Sequence, residues 1–366
     1  MKFVQLNTIC NFKQWKTIPT KELKDNGFPV WGANGIIGYS DEFNHTDPTI
    51  MICCRGATCG AINVSSGRCY INGNAMCVDK LSKEYSMDFI AYFLKHYDFS
   101  GIITGAAQPQ ITQNGLAKIF IPKMSIEEQN HLASDLQKIE KAISVKKKEL
   151  NFLDDLVKSR FIEMFGYVDK VDSQYKICKL NDVADVGSSH RVFTTEFVEK
   201  GIPFYRGTEI GELANGKKPA NPYYISEQHY HKLASDSTKP KIGDLLMPSI
   251  CSKGQVWMVD TNEPFYYKDG RVLCVSPNLS VFNPQYLLHF MRFKTEIEYQ
   301  KLDTGPTFSE FKIFIIKDFD IIVPPMHIQN KFAEFVKLID KSKFIVQKQI
   351  EDLQELLDSK MDEYFG

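Results

Sequence analysis

The residue types that could do chemistry gather at a few places in the chain. Asp303, Glu310 and Lys312 set two carboxylates and a lysine close together, and such a set can hold Mg²⁺ and an attacking water for phosphodiester hydrolysis. The counterpart stretch of the first half, Gln110 to Lys118, contains no acidic residue. The trio is therefore not expected to form a catalytic metal site. Asn283-Pro284-Gln285-Tyr286 approaches the N-P-P-[YF] run with which some methyltransferases grip a base, but no F-x-G-x-G cofactor turn precedes it. Asn as N-cap and Pro as first helical residue account for it as a helix start. No G-x-x-x-x-G-K-[ST] phosphate loop occurs. Five of the nine cysteines are Cys53, Cys54, Cys59, Cys69 and Cys77, with no C-x-x-C pair of the zinc-site kind. They are expected to be small buried hydrophobes on strands. No catalytic residue and no metal site is expected.

The elements that would position any site are organised by a duplication. A shift of 200 residues lays Gln129-Asn130 on Gln329-Asn330, Ala133 on Ala333, Ile139 on Ile339 and Leu153 on Leu353. The run Ser159 to Gly166 falls on Ser359 to Gly366, both closing in Phe-Gly. Upstream, Ile121-Pro122-Lys123-Met124 answers Val323-Pro324-Pro325-Met326, with a two-residue offset. Both repeated segments carry two apolar heptad columns, the mark of a coiled-coil seam. In the first these are Leu136, Ile143, Leu150, Val157 and Leu132, Ile139, Lys146, Leu153. In the second they are Val336, Lys343, Ile350, Leu357 and Phe332, Ile339, Val346, Leu353. Equal length and matching seams favour pairing with each other, antiparallel because a globular segment intervenes. The alternative is two amphipathic helices, each packed on its own domain. Lys146 and Lys343 interrupt the seam near mid-helix, where buried polar residues can fix register at some cost in stability. Forty helical residues span about 60 Å, so the pair would hold two like domains about a pseudo-twofold axis.

The expected domains are thus 1–122, globular; 123–166, a first long spacer helix; 167–324, globular; and 325–366, a second long helix. Net charge is −1, which disfavours a uniformly basic nucleic-acid binder. Any such surface must come from local placement of basic groups. No apolar run reaches the roughly 18 residues of a membrane span and no signal peptide stands at Met1 to Thr20; a cytoplasmic protein is expected. Each globular half alternates β-branched or aromatic runs with Gly/Asn turns, and each ends in one helical stretch. Phe28 to Tyr39 reads as two strands around Asn34-Gly35, while Thr49 to Cys54 and Arg68 to Ile71 read as further strands. Ile202 to Thr208, Gly243 to Met247 and Gly254 to Val259 read likewise in the second half. Ser86 to Tyr97 and Pro284 to Phe293 have helical spacing. The fold class is α+β: two mixed globular domains separated by two long helices.

At this level the chain resembles a known family. Pro-Val-Trp-Gly-Ala-Asn-Gly-Ile-Ile-Gly-Tyr (29–39), Gly105 to Ile111, Ile202 to Ile210, Gly243-Asp244-Leu245-Leu246 and Thr304 to Phe308 look like segments of target-recognition domains. Such domains belong to specificity subunits of type I restriction-modification systems, and the likeness covers essentially the whole chain. It implies that each half reads one part of a split double-stranded DNA target, asymmetric because the halves differ. It implies that the helices set the gap and dock two modification (methyltransferase) subunits, with two restriction (motor-nuclease) subunits joining for cleavage. S-adenosylmethionine, ATP and Mg²⁺ would then sit on partner chains. Arg or Lys reads guanine, and Asn or Gln adenine, in the major groove. On that chemistry the first-half candidates are Asn34, Arg55, Gln108 and Gln110. In the second half they are Arg191, Arg206, Lys253, Arg271 and Thr307. Half-site centres are expected about 34–36 Å apart, one duplex turn. The competing readings are a methyltransferase-nuclease in its own right, which lacks its motifs, and a structural adaptor that binds no DNA.

Overall fold

The structure, a computed structural model, describes residues 2–105, 108–170, 174–236, 238–302 and 309–366. It divides into two compact units, Met1–Glu149 with Val346–Gly366, and Leu150–Ile345. Each unit therefore holds one globular lobe and one end of each long helix. The units cut across both helices rather than falling at their ends, because each lobe packs on the start of the helix that follows it and on the far end of the other.

The first lobe opens with β1 (Lys2–Gln5), β2 (Asn11–Lys13), β3 (Phe28–Gly32), β4 (Gly35–Ser40) and β5 (Ile50–Cys53). Then come β6 (Ile62–Val64), β7 (Tyr70–Ile71), β8 (Ala75–Asp79) and α1 (Met87–His96). A short α2 (Gln113–Leu116) and β9 (Phe120–Lys123) lead into α3 (Ile126–Phe165). The second lobe begins β10 (Lys176–Lys179), β11 (Ala184–Gly187), β12 (Phe197–Val198), β13 (Ile202–Tyr205) and α4 (Gly207–Ala214). It continues through β14 (Tyr223–Ile225), α5 (Glu227–Leu233), β15 (Leu245–Pro248) and β16 (Trp257–Met258). Strands β17 (Tyr266–Tyr267) and β18 (Val272–Pro277), helices α6 (Pro284–Tyr299) and α7 (Ile313–Lys317), β19 (Asp320–Val323) and α8 (Met326–Phe365) complete it.

The duplication seen in the helices extends to the sheets. A two-stranded ribbon β1-β9 matches β10-β19, and the order β2-β8-β5-β6 matches β11-β18-β15-β16. The third sheet, β4-β3-β7, matches β12-β14-β13-β17, with a parallel pair at β3·β7 and at β13·β17. Strands this short gain their stability from pairing and from the apolar face they bury, not from local propensity.

Each lobe is fastened to its long helix by a buried glutamine at the repeated position. The Gln129 carbonyl oxygen accepts from Ser86 N–H (2.9 Å), and its amide donates to the carbonyls of Glu84 (3.0 Å) and Met124 (3.1 Å). Gln329 does the same with Asn283 N–H (2.8 Å) and the carbonyls of Val281 (2.9 Å) and Pro324 (2.8 Å). Both side chains are fully buried, so the three bonds satisfy backbone groups that would otherwise lie unpaired. Asn283 caps α6 as its sequence indicates, accepting from Gln285 N–H at 2.9 Å.

The long helices begin and end by recognisable chemistry. Ser125 and Glu128 cap α3 reciprocally (2.9 and 3.2 Å). Gly166, at φ +81°, ends it with a bond to the Ile162 carbonyl (2.8 Å). Every one of the sixteen seam residues named above is buried or half-buried. In the second unit Phe161 meets Phe332 (5.4 Å), Arg160 lies over Phe335 and Lys343 ion-pairs with Asp154. Rising numbers on α3 meet falling numbers on α8, which makes the pairing antiparallel. In the first unit Leu132 and Leu136 share a core with Leu357, Met361 and Phe365, and Phe365 packs on Phe89 and Phe93. Val157, Phe161 and Phe165 enter the second lobe's core in the same way.

Three local expectations are corrected. The strand read over Ile202 to Thr208 stops at Tyr205, because the Glu209 carboxylate accepts from Arg206 N–H (2.8 Å) and starts α4. Only Trp257–Met258 of the Gly254 to Val259 run is paired, since Gly254 turns at φ +62°. Of the five clustered cysteines only Cys53 and Cys77 lie in strands; Cys54 and Cys69 are buried in loops, and Cys59 is half-buried.

Candidate nucleic-acid interface

In the first lobe the four nominated residues lie on adjoining loops. The Ala33-Asn34 turn between β3 and β4 is tied to the loop after β5 by the Asn34 amide, which donates to Thr58 Oγ1 (2.9 Å). Arg55 pairs antiparallel with Gln110 through the backbone, and Gly56 N–H donates to the Pro109 carbonyl (3.1 Å). Gly105 stands at φ +91°, where an added Cβ would lie 2.4 Å from the Gln108 carbonyl oxygen. Only glycine lets that loop close so tightly. Asn34, Arg55 and Gln108 are exposed and Gln110 is half-buried. The arrangement offers a guanidinium and three side-chain amides from a firmly held base.

Backbone hydrogen bonds identify the same platform in the second lobe. Ile111 N–H donates to the Cys54 carbonyl (3.1 Å), and Phe311 N–H to that of Ser249 (2.7 Å). Cys54 N–H donates to Asn74 (3.3 Å), and Ser249 N–H to Arg271 (2.9 Å). Arg271 thus stands where the first lobe has Asn74, and Glu310 where it has Gln110. Arg271 Nη1 reaches Glu310 Oε2 at 2.5 Å, Lys312 also ion-pairs with Glu310, and Ser249 Oγ donates to it (3.3 Å). The Lys312 bond holds the Glu310 carboxyl below its ordinary range, against the opposing effect of burial and with Arg271 adding to the lowering. That carboxylate is already engaged by two cations, which speaks for a structural brace rather than a magnesium ligand.

A cleft of about 680 Å³ lies beside this brace, lined by Arg206, Thr208, Lys217, Ser249, Lys268 and Arg271 among others. Arg206 is less available than its sequence suggests. Its guanidinium forks onto buried Glu209 (3.1 and 2.6 Å) and lies over the Tyr223 ring at 4.4 Å. Burial alone would raise the Glu209 carboxyl, but hydrogen bonds from the Arg206 side chain and backbone hold it below its usual value. Arg191 is exposed, with its guanidinium over Phe193, and Lys253 lines a separate cavity with Arg292 and Lys343. Neither lines the cleft. Thr307 lies outside the described residues, as do Asp303 and Phe308. Lys217 and Lys268, both exposed, were missed because lysines 51 positions apart carry no sequence signal that they converge. Among the described residues potential metal ligands converge once, at His45, Cys77 and Asp79.

Comparison with known proteins gives a single answer. The family model for the type I restriction modification DNA specificity domain matches residues 1–154 and again 172–355. The Type I restriction enzyme EcoprrI specificity subunit of Escherichia coli is 30% identical over 115 residues, 31% of this chain and 28% of that protein. The MjaVIII specificity subunit of Methanocaldococcus jannaschii is 23% identical over 297 residues, 76% of this chain and 67% of the relative. The chain thus spans from about a quarter to two thirds of these relatives' own lengths. The S subunit of a type I restriction-modification system from M. genitalium shares the fold at TM-score 0.56 and 15% identity, over 100% of this chain and 96% of that one. A chain from a structure of type I R-M complex assembly aligns at TM-score 0.60 and 16% identity, over 100% and 97%. With the model matched across both repeats, the chain belongs to the type I restriction-modification DNA specificity family.

Proposed function

We propose that the chain is the sequence-reading subunit of a type I restriction-modification enzyme. Each lobe reads one half of a bipartite, asymmetric DNA target, and the paired helices set the distance between the halves. The observation that carries this reading is the repeated loop platform, built on one hydrogen-bond pattern but furnished with different side chains. Asn34, Arg55, Gln108 and Gln110 furnish it in the first lobe; Arg271 and the lysines of its cleft do so in the second, with Arg191 and Lys253 as further contacts and Thr307 as a candidate from its sequence alone. Arg206 acts mainly as a brace. Arg with guanine and Asn or Gln with adenine are the pairings that distinguish base pairs in the major groove.

The partners are two methyltransferase subunits docked on the helices, joined by two restriction subunits when the assembly cleaves. S-adenosylmethionine, ATP and Mg²⁺ belong to those chains, and the assembly works in the cytoplasm. The relatives' names as type I enzyme specificity subunits support this reading. So do apolar side chains off the seam that stay exposed, Phe152 and Leu156 on α3 and Leu338, Phe344 and Ile345 on α8. No helix among the described residues is long and apolar enough to cross a membrane.

The test is to map methylated adenines in cells carrying the chain with its methyltransferase, and again with Arg55→Ala or Arg271→Ala. A two-part, non-palindromic motif is expected, and each variant should relax only its own half. A single uninterrupted or palindromic motif, or failure to copurify with a methyltransferase chain, would overturn the reading.

A further inference from the structure

Cys77 and Asp79 alternate along β8, so both side chains leave the same face, and His45 approaches them from the loop between β4 and β5. One ligand atom from each residue lies within 4.8 Å of the others. The proton on the His45 ring can be assigned from its neighbours. The Asn44 amide donates to the Ile71 carbonyl (3.0 Å), and Ile71 N–H donates to Asn44 Oδ1 (2.8 Å), which fixes that oxygen's orientation. The same Oδ1 lies 2.7 Å from His45 Nδ1, so Nδ1 is the nitrogen that carries hydrogen. A neutral ring then turns its bare Nε2 toward Asp79 Oδ1 at 2.9 Å. Two acceptors face each other there, and a positive species is needed between them or on the ring.

We propose that the species is a zinc ion, bound by His45 Nε2, the Cys77 thiolate and Asp79 Oδ1, with water as fourth ligand. The donor set and number are those of an open zinc site. The outer contacts are also those such sites use: Asn44 orients the histidine, and Trp15 Nε1 donates to the other Asp79 oxygen (3.3 Å). Cys77 Sγ has no hydrogen-bond partner among the described residues. Tetrahedral bonds of about 2.0 Å place neighbouring N and O ligands about 3.3 Å apart, so the pair need open by only a few tenths of an ångström. A cavity of about 560 Å³, lined by Lys13, Asn44, His45 and Asp79, reaches two of the three ligands and admits the water. On binding, the ion replaces the Cys77 thiol proton, which leaves to solvent. His45 also pairs with Cys69, next to β7, so the ion would clasp the sheet that carries the Asn34 turn to the sheet whose β5 leads into the Arg55 loop.

The second lobe supplies an internal control. Cys274 pairs with Leu246 as Cys77 pairs with Met51, but Ser276 stands where Asp79 would, with its hydroxyl 3.7 Å from Cys274 Sγ. No trio of ligands forms there among the described residues.

The experiment strips the purified protein, with any partner it copurifies with, using a chelator, then dialyses it against buffered zinc or cobalt and measures bound metal. One zinc per chain is expected, kept by Cys274→Ser and lost by Cys77→Ser and His45→Gln. Trp15→Phe should weaken binding by about tenfold. Cobalt-loaded wild type should show a thiolate-to-metal charge-transfer band, and that readout needs no variant to fold. Absence of the band in wild type, or equal metal in wild type and Cys77→Ser, overturns the site and leaves an imidazolium–carboxylate ion pair in its place.

Discussion

The joints between lobe and long helix can be compared residue by residue. Six residues after each cap, α1 has Tyr92 and α6 has His289; three further on they have Lys95 and Arg292. In the first joint Tyr92 donates to Glu140 (2.6 Å), which also receives Lys95 (3.1 Å), at the protein surface. In the second joint Asp340 replaces Glu140, and the cation is half-buried. Arg292 donates to the carbonyls of Val256 (3.1 Å) and Ala214 (3.1 Å), and His289 stands edge-on to Phe332. The glutamine below is identical in both. Duplication has kept the group that satisfies backbone and has let the groups around it diverge. The loop platforms follow the same rule, with matched backbone bonds under Gln110 and Glu310.

The largest effect should come from the shared element. Gln129→Leu and Gln329→Leu each strand three backbone groups, most of them part-buried, at about 1–2 kcal/mol apiece, the lower part of the range for buried groups. Urea unfolding should show losses of similar size, roughly 3–6 kcal/mol; a clear inequality would break the equivalence of the joints. Next is acid sensitivity, confined to the second joint. Burial, helped by Arg292 and Lys343, holds His289 down at about 3, against about 6.5 for an unfolded histidine. The unfolded chain therefore takes up the proton first, and stability falls as pH drops from about 6.5 toward 3, by at most about 1.4 kcal/mol per pH unit. His289→Phe should flatten unfolding curves across that window, whereas Tyr92→Phe should leave the slope unchanged.

Smaller effects separate the platforms. Arg271→Ala should reduce discrimination at one base position by about 1–3 kcal/mol, read as relaxed methylation in one half-site. Asn74→Ala, at the matching place, should alter the other half alone. Arg206→Ala should instead lower stability by about 2 kcal/mol, because buried Glu209 loses its partner; unchanged unfolding would return Arg206 to the DNA surface. The smallest contrast is in the seam. Lys146 pairs with Glu149 on its own helix (2.9 Å), while Lys343 pairs across to Asp154. Such part-exposed pairs contribute about 0.5 kcal/mol. Lys146→Leu should therefore stabilise by about 1 kcal/mol through added apolar burial, and Lys343→Leu by less. Identical melts would remove any register role for Lys343.

The parts of this architecture legible in the sequence are those governed by local or periodic rules. Heptad columns, Ser125 and Asn283 as caps, and glycines at helix ends each carry their physics within a few residues. What was not legible depends on closure over distance. Arg206 looked like a reading group because its partner Glu209 matters only once a helix starts between them. Arg271 and Glu310 meet across 39 positions, and Asn34 finds Thr58 only when two turns fold together. Strands as short as Tyr70–Ile71 and Tyr266–Tyr267 exist because a parallel neighbour holds them. A search for C-x-x-C could not find His45, Cys77 and Asp79, which adjacent sheets bring together.

The composition of the two units bears on the order in which the protein can be made. The second unit is one unbroken stretch, Leu150–Ile345, whereas the first needs Val346–Gly366 to cover Phe89 and Phe93. At roughly 5–20 residues per second, ribosomes deliver Phe365 on the order of 10–40 s after Glu149. The lobe translated first is thus the one finished last, and Phe89 and Phe93 lack their aromatic cover until Phe365 arrives.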